Sequence, residues 1–162
     1  MINGIDSEIV KILQQNARTS NAEIARKVGL APSAVFERIR KLEEKGIIRG
    51  YHADVDPRAV ELGQLAFMFI RSNDRPGAVG TAAQLADVPE ILELHHVAGE
   101  DCFLAKVRAR DAEALGRLLR DRLSRIDSVT STRTTIVLEV VKETVELPIG
   151  ACEQEDEEAA SA

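Results

Sequence analysis

The stretch from Ser20 to Gly46 constrains this chain most, because its breaker residues leave one local architecture: a short helix, a turn and a longer helix. Ser20 and Glu23 stand three apart ahead of an apolar run. At that spacing the hydroxyl caps the Glu23 N–H while the carboxylate bonds back to Ser20. Ile24, Ala25 and Val28 then share a face. Gly29 can take the left-handed conformation that ends a helix without steric cost, and Leu30 plugs the turn. Pro32, with its fixed φ and missing N–H, opens the second helix, and Gly46 closes it. Ala31 stands where a Ser, Thr, Asp or Asn cap belongs, a loss of about 1 kcal/mol.

On a wheel of about 100° per residue the second helix turns Val35, Ile39 and Leu42 to a core and Ser33, Glu37, Arg40, Lys41 and Glu44 away from it. A helix of this kind enters a major groove by its N-terminal part. Ser33, Ala34, Phe36 and Glu37 are therefore candidates for base edges. Arg40 and Lys41 are better placed for phosphates, and Arg38 also suits duplex DNA. Glu37 can accept from a cytosine amino group and Phe36 can touch a thymine methyl. The same pattern equally serves two helices that merely pack together with their charges solvated.

The formal net charge of -6 argues against DNA until it is divided. Up to Arg58 there are ten Lys and Arg against eight Asp and Glu; beyond it there are eleven against nineteen. The positive part carries the reading helix. So small an excess on an acidic carrier calls for more than one copy on the same duplex. An apolar share of 44% with 30% charged residues describes a soluble globular protein. No apolar run approaches the roughly 18 residues of a membrane span, and the N-terminus lacks a signal-peptide pattern, so a cytoplasmic protein without a membrane partner is expected. Two cysteines, Cys102 and Cys152, are too few and too far apart for a zinc site. Adjacent His95 and His96 would leave opposite faces of a strand. Neither a metal, nor a cofactor, nor a catalytic residue is expected.

In chain order, Asp6 is expected to cap a helix over about 6–17, followed by helices over 20–28 and 32–45. Ile9, Ile12, Leu13, Ile24, Val28, Leu30, Val35, Ile39, Leu42 and Ile47 would form their core, which is small enough to favour pairing. This defines a domain over 1–48. A hinge strand or connector over 49–62 comes next, in which alternation after Ile48 suggests a strand ended by Pro57. A second domain over 63–145 reads as a strand at Leu65 to Ile70, a helix at Pro76 to Ala86 and a strand at Ile91 to Val97. After a turn at Gly99, Glu100 and Asp101 comes a strand at Cys102 to Ala109. Asp111 caps a helix carrying Leu115, Leu118, Leu119 and Leu123, and a last strand covers about Ser128 to Lys142.

The order β-α-β-β-α-β lays two helices on one face of a four-stranded antiparallel sheet. The fold class is α+β, a three-helix helix-turn-helix domain followed by a ferredoxin-like domain. The opposite sheet face is expected to be apolar and covered by a second copy. Two reading helices related by a two-fold axis would then enter successive major grooves roughly 10 bp apart. Residues 146–162 lose periodicity, and this acidic tail is expected to be disordered and to repel nonspecific DNA.

Three blocks in this order resemble a known family: NAEIARKVGLAPSAVFERIRKLEEKGIIRGYHADVDP at 21 to 57, HHVAGEDCFLAKV at 95 to 107, and TSTRTTIVLEVVK at 130 to 142. The sequence resembles the Lrp/AsnC, or feast/famine, transcription regulators from about Ile5 to Val145. The resemblance implies a DNA-binding domain joined to a ligand-sensing domain, dimers that assemble into octameric rings or open helical assemblies, and a small amino acid as effector between the sensor domains of neighbouring dimers. It implies a ligand site at Gly99, Glu100, Asp101 and Cys102, with Ala112, Thr134, Thr135 and Ile136 as neighbouring wall. A zwitterion needs an anion for its ammonium and N–H groups for its carboxylate. Glu100 or Asp101 can supply the first and amides around Gly99 the second, unless Gly99 only shapes the hairpin. Cys102 reads as a small packed side chain. The chain departs from the family at Ala31, where Ser is common, and at Cys102 after Asp101, where many leucine-responsive relatives have Asp after an aromatic residue. The alternatives are a DNA-wrapping architectural protein that senses no ligand, and a haem-precursor decarboxylase of similar fold, for which no acid-base constellation can be named.

Overall fold

The first helix begins at Asn3 rather than Asp6. In the computed structural model, which describes residues 2–74 and 80–150, α1 spans Gly4–Gln15, and the Asn3 side chain accepts the Asp6 N–H at 2.8 Å. Asp6 is released for a longer-range task, an ion pair with Arg38. Helix α2 (Asn21–Val28) starts on Ser20, whose hydroxyl accepts from the Glu23 N–H, and ends on left-handed Gly29 at φ +69. The Glu23 carboxylate lies 3.7 Å from Lys27, one turn on. Helix α3 (Pro32–Glu44) starts on Ala31 without a side-chain cap. Ala31 already has the extended backbone of a cap residue, φ -74 and ψ 146. The substitution Ala31→Ser is therefore expected to stabilise this unit by about 1 kcal/mol, read as a higher midpoint in urea at unchanged slope.

These helices close around Ile9, Ile12, Leu13, Ile24, Ala25, Val35 and Leu42, with Val28, Leu30, Ile39 and Ile48 packed against them. Ile47, expected in this core, is 42% exposed, and Ile48 takes its place. Left-handed Gly46 folds the chain back so that the Ile47 and Ile48 N–H groups both donate to Leu42 O, at 2.9 and 3.2 Å. That tight reversal turns the inward face by one residue. The chain divides into two units, one running up to Asp54 and including the segment that begins at Glu143, the other from Val55 to Lys142. The returning segment belongs with α1: Gln14 donates its amide to Leu147 O at 3.1 Å and accepts the Leu147 N–H at 2.8 Å.

The expected hinge strand is absent, since residues 49–56 form neither strand nor helix. Alternating side chains make a strand only where a neighbour supplies the ladder. The second unit has the element order read from the sequence: β1 (Gln64–Ser72), α4 (Gly80–Ala86), β2 (Ile91–His96), β3 (Phe103–Ala109), α5 (Ala112–Asp121) and β4 (Val129–Ile136). The expected start of α4 at Pro76 lies outside the described residues. A 3-10 turn, Leu123–Arg125, buries Leu123 after α5, and Asp111 caps that helix by accepting the Ala114 N–H at 2.7 Å. The strands run antiparallel in the order β2-β3-β1-β4. One face packs Ala66, Met68, Ile70, Phe103, Ala105 and Val107 under Leu85, Leu115 and Leu118 of the helices.

Strand β4 stops at Ile136, six residues before the expected end. It pairs with β1, which begins at Gln64, so its ladder closes when Val137 N donates to Leu65 O. Beyond it Leu138 is 98% and Val145 97% exposed. The open sheet face is less apolar than expected. Phe67, Phe69 and Leu104 form its middle, and Glu93, Lys106, Arg71 and Arg133 surround them by register. Arg133 stacks 4.0 Å over the Phe69 ring. The disorder expected of the acidic tail bears mostly on 151–162, which lie outside the described residues.

Candidate functional site

Helix α3 buries Val35 and Leu42 and leaves the opposite side bare. On that side Ser33, Phe36, Glu37, Arg40 and Lys41 are exposed, while Ala34 is half-buried. Phe36 is 54% exposed, an apolar ring held in water by a helix whose own core is satisfied. Two of the three expected cations are committed to other groups. Arg38 donates to Asp6 at 2.8 Å in a half-buried pair that ties α3 to α1, so it serves the fold of the unit rather than an outward surface. Arg40 donates to Glu37 at 3.0 and 3.2 Å and also reaches Glu44. The Glu37 hydrogen bond, then the charges of Glu37 and Glu44, raise the Arg40 pKa above its ordinary value. Among the described residues Lys41 has no carboxylate partner. It is the cation most ready for a phosphate. The Glu37 carboxylate, expected to accept from a base, is occupied here by Arg40.

Behind α3, Tyr51 Oη donates to Glu43 at 2.8 Å. Burial first, then this bond and the Glu43 charge, push the phenol up to about 12. No local signal in the sequence points from Tyr51 to its partner eight residues back.

In the second unit the turn between β2 and β3 gathers Gly99, Glu100, Asp101 and Cys102 at one end of the sheet. Gly99 has φ +128, which glycine tolerates best. Both acids are already paired. Arg71 donates to Glu100 O at 3.1 Å and to its carboxylate at 2.9 Å, and Arg133 donates to Asp101 at 3.1 Å. The Glu100 side chain is nonetheless 90% exposed, so its pair is cheaply exchanged. Cys102 is packed as expected: its N–H donates to Ile70 O and its Sγ sits 3.4 Å from Ser72 N. The sequence missed Arg71 and Arg133, which are 29 and 32 residues from their acids and meet them only through sheet register.

The other expected wall residues are elsewhere. Ala112 begins α5 after the far end of β3, a strand of seven residues and so roughly 20 Å long. Thr134, Thr135 and Ile136 pair with Met68, Phe67 and Ala66, away from the turn. One chain therefore holds the two halves of the expected ligand site apart.

Across the open face Lys106 donates to Glu93 at 2.9 Å, and this bond is the main cause of a Glu93 pKa below its usual range. A lowered carboxyl stabilises above its unfolded pKa, and that contribution is lost as pH falls through the folded value. Glu93→Gln is expected to lose less stability than the wild type on acidification across that window, as thermal melts against pH would show. Among the described residues no three His, Cys, Asp or Glu side chains are grouped to hold a metal, and no helix is long and apolar enough to cross a membrane.

Residues 2–49 match the pattern of a winged helix-turn-helix DNA-binding domain, and residues 65–147 that of the Lrp/AsnC ligand binding domain. An HTH-type transcriptional regulator of Pyrococcus horikoshii is 40% identical over 146 residues, covering 90% of this chain and 95% of that protein. The leucine-responsive regulatory protein of Escherichia coli is 38% identical over 149 residues, covering 90% of each. A transcriptional regulator of Neisseria meningitidis, solved with L-Met, superposes with TM-score 0.87 at 29% identity over 94% of this chain and 99% of that one.

Proposed function

Because this chain belongs to the Lrp/AsnC family of transcription regulators, we propose that it binds duplex DNA as a symmetric pair and that a small amino acid at its sheet unit modulates that binding. The observation that carries the DNA reading is the bare side of α3, with Phe36 exposed beside Ser33 and Lys41 on a helix whose other side is core. Ser33, Ala34, Phe36 and Glu37 read base edges, and Arg40 and Lys41 hold phosphates. Pairing through the open sheet face gives two such helices, and the small charge excess of each first unit then acts twice. The chain works on DNA in the cytoplasm, needs no cofactor beyond its effector, and catalyses nothing. Gel-shift titration against the upstream region of its own gene tests the first part. Binding there should exceed binding to random duplex at every salt concentration, and equal affinity for both would defeat the reading.

The effector reading is supported by the L-Met found in the Neisseria relative and in a Mycobacterium tuberculosis feast or famine regulatory protein, 32% identical to this chain with TM-score 0.83 over 91% of it and 99% of that one. It also accords with the place of Ala112 and Ile136 at the end of the sheet away from the Gly99 turn. A ligand touching both the Gly99 turn and the Ala112 to Ile136 wall needs them from different copies. A single observation favours a ligand-free, DNA-wrapping alternative: Arg71 and Arg133 already neutralise the two acids that would hold an ammonium. Thermal shift with a panel of amino acids separates the two readings. A true effector at a hundred times its dissociation constant should add about 2.7 kcal/mol, and no amino acid should do so in the alternative. Light scattering with and without the same panel reports whether assembly changes.

A further inference from the structure

One exposed carboxylate of α3 is clamped on a single side. On a helix of about 3.6 residues per turn, Glu37 stands roughly 160° from Val35 and roughly 140° from Leu42, so it points away from the core those two enter. Its Oε2 accepts two hydrogen bonds from one guanidinium, from Arg40 Nε at 3.2 Å and from Nη2 at 3.0 Å. Arg40 Nη1 reaches the other way to Glu44, one turn further along α3. Among the described residues Glu37 Oε1 takes no hydrogen bond. The carboxylate therefore has one oxygen held and the other open, on a side chain that is 52% exposed.

We propose that Arg40 is a positioning residue for base reading: it holds Glu37 Oε2 so that Oε1 accepts the amino group of a cytosine, which fixes one base position for each bound copy. The inference rests on the DNA-binding reading. An ionised carboxylate only accepts. In the major groove cytosine offers an amino group beside a bare C5–H, whereas adenine sets the N7 acceptor beside its amino group and guanine and thymine present acceptors. Cytosine is thus the base that a fixed, lone oxygen does not repel. Phe36, one residue earlier and exposed, suits the apolar C5 edge that a pyrimidine presents there. A glutamate loose in water would have to order its side chain on meeting the base, and Arg40 orders it beforehand. A single surface ion pair would hold Glu37 only weakly, but Glu44 anchors the same guanidinium and makes a network of the three. Two N–H groups of Arg40 stay free of these bonds and can still meet a phosphate.

The test selects bound sequences with the full chain from a pool of duplexes that carry a randomised core, and reads the base preference at every position. Both side chains are exposed, so the variants keep the fold. Wild type should prefer cytosine about tenfold over the other bases at one position for each copy. Glu37→Gln should move that preference to adenine, whose N6 and N7 an amide can meet together, and leave the other positions alone. Arg40→Met should cut the cytosine preference below about threefold at the same position. In a chain already carrying Glu37→Ala, Arg40→Met should alter no base preference, because the two residues act as one. Loss of a mere phosphate contact would instead weaken all sequences alike and lower the salt slope by about 1 per copy. An unchanged cytosine preference in Arg40→Met overturns the proposal while leaving DNA binding intact, and so does a Glu37→Gln profile identical to that of wild type. If the pool yields no enriched sequence, the DNA-binding reading falls and takes this one with it.

Discussion

Lys41→Glu is expected to weaken binding to a specific duplex about 100-fold near 0.1 M salt. Each phosphate contact contributes about 0.9 to the slope of log affinity against log salt. Its loss near 0.1 M therefore costs roughly eightfold per copy, and the two copies of a pair bring this to about 60-fold. The reversed charge adds repulsion. The salt slope should also fall by about 2. Arg40→Ala makes the informative comparison. Its guanidinium is shared with Glu37 and Glu44 in the free protein, so its removal deletes one positive charge and leaves two carboxylates unpaired, against a change of two charges in Lys41→Glu. A titration in which Lys41→Glu binds within threefold of wild type would remove α3 from the groove.

The second large effect is on folding. Ile9→Ala empties a fully buried position in the cluster of Ile12, Leu13, Ile24, Val35 and Leu42. Such truncations cost about 2–5 kcal/mol, and a core of this size rarely supplies more than about 3–5 kcal/mol. The first unit should therefore unfold near room temperature while the sheet unit, with its own core of Met68, Ile70, Leu85, Val107 and Leu123, stays intact. Circular dichroism should lose helix, DNA binding should vanish, and a calorimetric transition for the sheet unit should persist at its original temperature. A single transition shifted as a whole would mean that the two units fold together.

Wherever a boundary is set by residues next to it, the sequence was readable. Ser20 and Gly29 bracket α2, Asp111 starts α5, and the order of strands and helices in the second unit came from their periods. The misreadings share a cause. Asn3 and Asp6 are both acceptable caps, and only the distant Arg38 decides that Asp6 serves another purpose. Val137, Val140 and Val141 continue past Ile136 with high strand propensity, but the ladder ends because β1 begins at Gln64. Ile47 and Ile48 are equivalent by composition, and the reversal at Gly46 chooses between them. In the turn between β2 and β3 the acids were legible and their arginines were not, since register across the sheet brings Arg71 and Arg133 to the turn.

The bare start of α3 has a further effect. With alanine at position 31 no side chain answers the Ser33 amide, and Pro32 offers no amide at all. An unanswered N–H at the positive end of a helix is an invitation to a passing anion, and in a groove the nearest anion is the sugar-phosphate strand. Ala31→Ser would quiet that amide from within, giving a sturdier protein with a looser grip on its operator. Robustness and avidity are thus set against each other at one methyl group.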